Sequence, residues 1–317
     1  TPKSKGILHS GTGRIVSCLR MNTMSLFESG DSTGQVSLQD LCNGKLEMQM
    51  TNEVPLETLA YYIVRGGWPE NIEVKMKDAH IMPQAYMETV IKEDLSKLDD
   101  DTDYNPHKVN LLLKSLARNE TTTVSELRLL NDIQENDFES MSRNTISKYL
   151  SAFNRLFLLN NQSPFSPNIR SSLRVKQSEK RHFSDPPAMA CAMLGITPSK
   201  LMNDMETFGF MFEALVEHDL GIYAQSFGEK LYHYQDYKNQ EIDAVIELED
   251  GEWCAFEIKL GAKKIDEGAS NLIKVCNSIV ENGGKAPKVK YVICGLSNAA
   301  YQRKDGVFVV PITALKN

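Results

Sequence analysis

Residues 241–261 read EIDAVIELEDGEWCAFEIKLG, two runs of alternating apolar residues on either side of Asp250-Gly251. Period-two alternation marks a strand with one buried face, and Asp-Gly between two such runs marks a hairpin. The register decides what this hairpin presents, because a slip of one residue reverses every side chain. A two-residue Asp250-Gly251 turn would set Ala244 opposite Glu257 and send Asp243 to the other face. A three-residue Glu249-Asp250-Gly251 loop, with Gly251 in the left-handed conformation such loops favour, sets Asp243 opposite Glu257 instead, and it is the expected form. Ala255, Glu257 and Lys259 then share one face, while Cys254, Phe256 and Ile258 pack on the other.

Two carboxylates and an ammonium on one face suit phosphodiester chemistry with a divalent metal. Hard oxygen ligands hold Mg2+, the metal stabilises charge and activates water, and a lysine orients that water or neutralises the developing phosphorane. Asp243, Glu257 and Lys259 are therefore the catalytic candidates. Glu213, in FMFEALVEHDL, is flanked by Phe212, Leu215 and Val216, and is a third carboxylate that can turn inward to the same metal. The same residues also read as a solvated cross-strand acid-lysine face, and Glu213 as a helix-surface acid.

The totals bound the alternatives. A chain of 317 residues has room for two or three cores, and 41% hydrophobic with 24% charged residues is ordinary for a globular protein. No apolar run approaches the roughly 20 residues of a spanning helix, so a membrane protein is not expected. Six cysteines, at 18, 42, 191, 254, 276 and 294, form no C-x-x-C pair, which points to a reduced, cytoplasmic setting rather than a zinc knuckle or disulfide framework. The net charge of -7 works against broad nucleic-acid affinity and leaves only local basic patches for that role.

Two such patches exist. Residues 107–160 read as three helices and a strand, HKVNLLLKSLAR, TVSELRLLNDI, SRNTISKYLSAFNRL and FLLNN, a helix-turn-helix order with a wing-like strand. In the third helix Ile146, Leu150 and Phe153 form the apolar stripe, and Lys148 and Arg155 lie on the opposite face. Downstream, RSSLRVKQSEKR at 170–181 carries Arg170, Arg174, Lys176, Lys180 and Arg181 against one acid, Glu179. Lys148, Arg155, Arg170 and Arg174 are the candidate nucleic-acid contacts, with DNA as the partner. Packing against protein is the other use of such a fold. From residue 204 onward the pattern is a long apolar helix, three strands, a helix at about 265–282 and the strand KVKYVICG. None of the six histidines clusters at metal spacing. His233 alone runs beside the proposed site, while Trp68 and Trp253 read as packing anchors.

The order helix, three strands, helix, strand, with Asp243 and Glu257-x-Lys259, resembles the PD-(D/E)XK restriction-endonuclease-like core. Over the whole chain, GRIVSCLRMNTMSLFESGDSTGQVSL, IVRGGWP, SRNTISKYLSAFNRLFLL, ETFGFMFEALVEHDL and the hairpin are similar to a bacterial and archaeal family of AAA-type ATP-binding proteins. Its members join an N-terminal ATPase core to a C-terminal domain of unknown function, number 4143. That resemblance implies ATP binding in the intact protein. The P-loop G-x-x-x-x-G-K-[ST] that such binding needs is absent here, since Gly44-Lys45 is followed by Leu46 and Gly284-Lys285 by Ala286. The chain therefore reads as a member lacking most of its ATPase core, with Arg14, Arg20 and Arg65 as candidates for nucleotide phosphates. The expected organisation is an α/β multidomain chain: 1–50 as the end of the ATPase core, 51–104 as a helical lid, 105–180 as a winged-helix-like domain and 181–317 as the nuclease-like domain. The expected function is ATP-dependent and DNA-associated work, with Mg2+ at the last domain. The alternative is a catalytically inert regulatory module that couples a nucleotide switch to a protein partner.

Overall fold

The computed structural model describes residues 21–98, 104–167 and 175–317, so Arg14, Arg20, Arg170 and Arg174 lie outside the described residues. The chain is mixed α/β, with its helices gathered around an eight-stranded sheet. The helical part begins with α1 (Leu38–Cys42), α2 (Leu56–Arg65), α3 (Ile81–Thr89) and α4 (Leu95–Leu98). It continues through α5 (Pro106–Arg118), α6 (Glu126–Asp137) and α7 (Arg143–Arg155), the three helices expected within residues 107–160. Asn105, Ser125 and Ser142 each accept a backbone N–H of the first turn, which is why these helices start where they do. Two short helices, α8 (Ala188–Leu194) and α9 (Pro198–Met202), lead into the long α10 (Met205–Ser226), capped by Asp204.

The strands are β1 (Val36–Ser37), β2 (Gln49–Met50), β3 (Ser163–Pro164), β4 (Lys230–Gln235), β5 (Glu241–Glu247) and β6 (Trp253–Gly261), with α11 (Ile265–Glu281) crossing from β6 to β7 (Val289–Leu296). β8 (Ala299–Gln302), β9 (Phe308–Pro311) and β10 (Leu315–Lys316) follow. The large sheet runs β2-β8-β9-β7-β6-β5-β4-β3, parallel at β6/β7, β7/β9 and β3/β4. Alternation along β6 gives each face its own cover. Cys254, Phe256 and Ile258 join the core with α10 residues such as Phe208 and Phe212, while Ala255 joins Leu272, Val275 and Cys276 of α11. No helix among the described residues is long and apolar enough to cross a membrane.

The sheet crosses two of the boundaries expected from sequence. β2 lies before residue 51 and pairs with β8, and β3 lies before residue 181 and pairs with β4. The wing-like strand expected at FLLNN is reduced to isolated bridges, Leu159 to Phe183 and Gln162 to Lys180, which lay this pair of segments along the β4 edge. The segment at 21–42 is fastened equally firmly. β1 pairs with β10, the Leu26 N–H donates to Asp219 Oδ2 at 3.0 Å, and Tyr291 donates its hydroxyl to the Leu41 carbonyl at 2.7 Å. Met24 donates its N–H to the Gly67 carbonyl at 2.8 Å, and a Cβ at position 67 would stand 2.1 Å from the Met24 oxygen, so only glycine admits this crossing.

Candidate functional site

The hairpin adopts the three-residue loop. Leu248 donates to the Glu252 carbonyl and Gly251 to the Leu248 carbonyl, both at 2.8 Å, with Gly251 at φ +74°. The ladder pairs Glu247 with Trp253 and Ala244 with Phe256, so the next position outward sets Asp243 against Glu257. There the strands part. The Ile258 N–H donates to Asp243 Oδ2 at 2.7 Å, so a carboxylate replaces the backbone acceptor and is fixed in orientation. Lys259 Nζ stands 2.9 Å from Glu257 Oε1 and 3.8 Å from Asp243 Oδ2. From α11, Asn271 donates its amide to Glu257 Oε1 at 3.2 Å. The three residues that sequence singled out thus meet on one face, with Glu257 3% and Asp243 8% exposed.

Burial is the main influence on this group. It pushes the Glu257 carboxyl up, as does the neighbouring Asp243, to about 7 despite the pull of Lys259 and Asn271. Lys259 is disfavoured by burial, but the two carboxylates outweigh this and hold its ammonium above the usual lysine value.

Glu213 does not join this pair, and the expected three-carboxylate metal set is corrected accordingly. Its Oε1 is 2.7 Å from Nζ of Lys180, a residue read from sequence as part of the basic stretch at 170–181. Lys180 is buried, and its three N–H donors find three acceptors: Glu213, Glu217 Oε1 at 2.6 Å and the Asp243 carbonyl at 3.3 Å. Beyond it, His182 Nδ1 donates to Glu120 Oε1 at 2.8 Å, and His182 Nε2 comes within 3.2 Å of Glu217 Oε2 without the alignment of a hydrogen bond. Burial pushes His182 down, yet Glu217 and Glu120 outweigh it and raise the imidazole to about 9, so both ring nitrogens carry protons at neutral pH. Burial, together with Asp243 and Glu217, pushes Glu213 up to about 8 against the pull of Lys180.

A cavity of about 250 Å3 opens beside this cluster, lined in part by Thr121, Thr123, Glu213, His233 and Asp243. His233 donates Nε2 to the Ser178 carbonyl at 3.0 Å and is pushed down to about 4 by burial and by Lys180, so it stays neutral and serves the backbone. Among the described residues, no three His, Cys, Asp or Glu side chains stand at spacing that would hold a metal ion. Asp243 and Glu257 nevertheless fit Mg2+ as a pair, because that ion is commonly held by one or two carboxylates and completes its octahedron with water.

The cluster has a net charge that bears on this. The carboxylates Glu120, Glu213, Glu217, Asp243 and Glu257 are five, and the cations Lys180, His182 and Lys259 are three. If all are ionised, two negative charges remain, the complement of one divalent cation. The raised Glu213 and Glu257 carboxyls are where protons take up that excess.

The expected nucleic-acid residues divide. Lys148 is exposed on α7, its ammonium 5.9 Å from the Tyr104 ring centre, on a helix that contains no acid. Arg155 turns the other way and donates to the Leu98 carbonyl at 3.3 Å, so it fastens α7 to α4. In the basic stretch, Lys180 is buried in the cluster and Arg181 donates to the Val124 carbonyl. Arg65 is also spoken for, 2% exposed and 2.7 Å from Asp31, with its guanidinium over Tyr61 and Tyr62. Sequence reasoning missed Lys180, Glu217, His182, Glu120 and Asn271. The one available signal was the i, i+4 spacing of Glu213 and Glu217, which places both on one face of α10.

Two family models match the chain. Residues 56–200 match a domain of unknown function, DUF8612, and residues 208–315 match a second, DUF4143. The first contains Glu120, Lys180 and His182, and the second contains Glu213, Glu217, Asp243, Glu257 and Lys259. No curated protein matches the chain at a significant level.

Proposed function

We propose that Asp243, Glu257 and Lys259 form a Mg2+-dependent phosphodiester-cleaving centre, carried by the DNA-associated C-terminal part of an AAA-type ATP-binding protein. The observation that carries the reading is the placing of Asp243 and Glu257 at facing positions, with the Lys259 ammonium 2.9 and 3.8 Å from their oxygens. The match of residues 208–315 and the sequence resemblance support the family context.

Asp243 and Glu257 would hold the cation, and when bound it supplies charge for the phosphodiester oxygens and an acidified water. Asp243 is kept in place by the Ile258 N–H, and Glu257 by Asn271. Lys259 then sits two residues along the same face, where its ammonium orients the attacking water and offsets charge developing on the phosphorus oxygens. Low exposure of both carboxylates strengthens each of these interactions. A plasmid-nicking assay with Mg2+ or Mn2+ tests the reading. Nicking should appear with the native chain and vanish in Asp243→Ala, whereas nicking that survives the substitution belongs to a contaminant and defeats the proposal.

The inert regulatory module is the second reading. It is favoured by the way Lys180 and Lys259 already pair with Glu213, Glu217 and Glu257 within the fold. A stoichiometric protein partner co-purifying with a chain that never nicks DNA would select it.

A further inference from the structure

Lys180 comes from the segment between α7 and α8, inside residues 56–200, yet its ammonium is spent on α10 and β5 of the other matched region. Its backbone is held from the helical side. Lys180 and Gln162 exchange both main-chain hydrogen bonds at 2.9 Å, and the Gln162 amide donates to the Tyr232 carbonyl at 2.8 Å. His182, two residues on, is anchored by Glu120 just past the end of α5. The position of this ammonium therefore follows the seating of the 56–200 region on the β4 edge.

The acid it restrains is the one that the carboxylate pair lacks. Glu213 and Asp243 line the same cavity and repel one another, while Lys180 bridges the Glu213 carboxylate and the Asp243 carbonyl. A lysine at that point opposes a divalent cation twice, by its own charge and by occupying Glu213. We infer that Lys180 is a tethered counter-ion that holds Glu213 off the Asp243–Glu257 pair, so that the 56–200 region sets whether the sheet offers a divalent cation two carboxylates or three. The inference rests on the preceding reading only in taking Asp243 and Glu257 as the cation's seat. It assigns regulation of that seat to a residue outside the sheet domain, and a shift of the helical region would act on the site through this one side chain.

Mn2+ binding to the full chain, followed by calorimetry or by the spin signal of free Mn2+, tests it without any turnover. Lys180→Gln should bind Mn2+ at least tenfold more tightly than the native chain, or bind it where the native chain does not. Because Lys180→Gln leaves two buried carboxylates facing one another, Lys180→Gln/Glu217→Gln keeps the charge balance and should show the same gain. Adding Glu213→Gln should remove most of the gain in the Lys180→Gln background and change affinity less than threefold in the native one. This non-additivity is what a merely structural lysine would not give. Equal Mn2+ affinity with and without Lys180 overturns the inference and leaves the cleavage reading standing, and a tenfold loss on Glu213→Gln alone also overturns it. Absence of Mn2+ binding in every variant overturns both.

Discussion

Arg65, at the end of α2, meets the carboxylate of Asp31 at 2.7 Å across 34 residues of sequence. The guanidinium is 2% exposed, also donates to the Gly66 carbonyl and lies over two tyrosine rings. Arg65→Met removes the charge and leaves Asp31 with its partner gone, which should cost about 3 kcal/mol in urea denaturation. Arg65→Lys should recover only part of that loss, because the flat fork is what spans both contacts. Full stability in the methionine variant would show that the pair contributes nothing.

Gly67 carries the crossing of the 21–31 segment over the end of α2. Gly67→Ala places a methyl group 2.1 Å from the Met24 oxygen and should cost about 2 kcal/mol, as overpacking does. The effect should be local. Limited proteolysis should cut within residues 21–31 faster in the variant, while the β5–β6 hairpin keeps its protection.

Stability should fall from pH 6.5 to 9. Glu257, Glu213 and His182 are raised to about 7, 8 and 9 from ordinary values of 4.5, 4.5 and 6.5. The folded state therefore holds more protons than the unfolded chain across that window, so each proton lost at higher pH weakens the fold. His233, pushed down to about 4, acts in the opposite sense and costs stability as pH drops below 6.5. Thermal melts should show a midpoint that declines from pH 6.5 to 9, and His182→Gln should flatten the last part of that decline. A midpoint constant over this range would contradict the assignment.

Lys148 is the one expected phosphate contact that the described residues leave on an exposed face. Lys148→Ala should weaken duplex DNA binding uniformly across sequences and lower the slope of affinity against salt by about 1. Fluorescence anisotropy at low salt measures both. Arg155→Ala should instead loosen α7 from α4 and show itself in stability.

Elements with a strong local signal were legible. The runs HKVNLLLKSLAR, TVSELRLLNDI and SRNTISKYLSAFNRL located three helices, and Gly251, by selecting the loop, set the register that brings Asp243 to Glu257. Long-range features were not. β1, β2 and β3 have two residues each, too few to show a period, and exist because β10, β8 and β4 supply partners far along the chain. Lys180 misled for a different reason: a basic run reads as solvated, and only the fold reveals that Glu213 and Glu217 draw one member inside.

The pairing of Val36 with Leu315 also sets a timetable for synthesis. Residues 36 and 315 are 279 positions apart, so at about 5–20 residues per second the earlier strand waits on the order of ten to sixty seconds for the later one. Until α10 and then the sheet have been made, Leu38, Leu41 and Cys42, all destined for the interior, lack the surfaces that cover them. A nascent chain of this design offers that apolar segment to chaperones and to self-association until the later elements emerge to cover it.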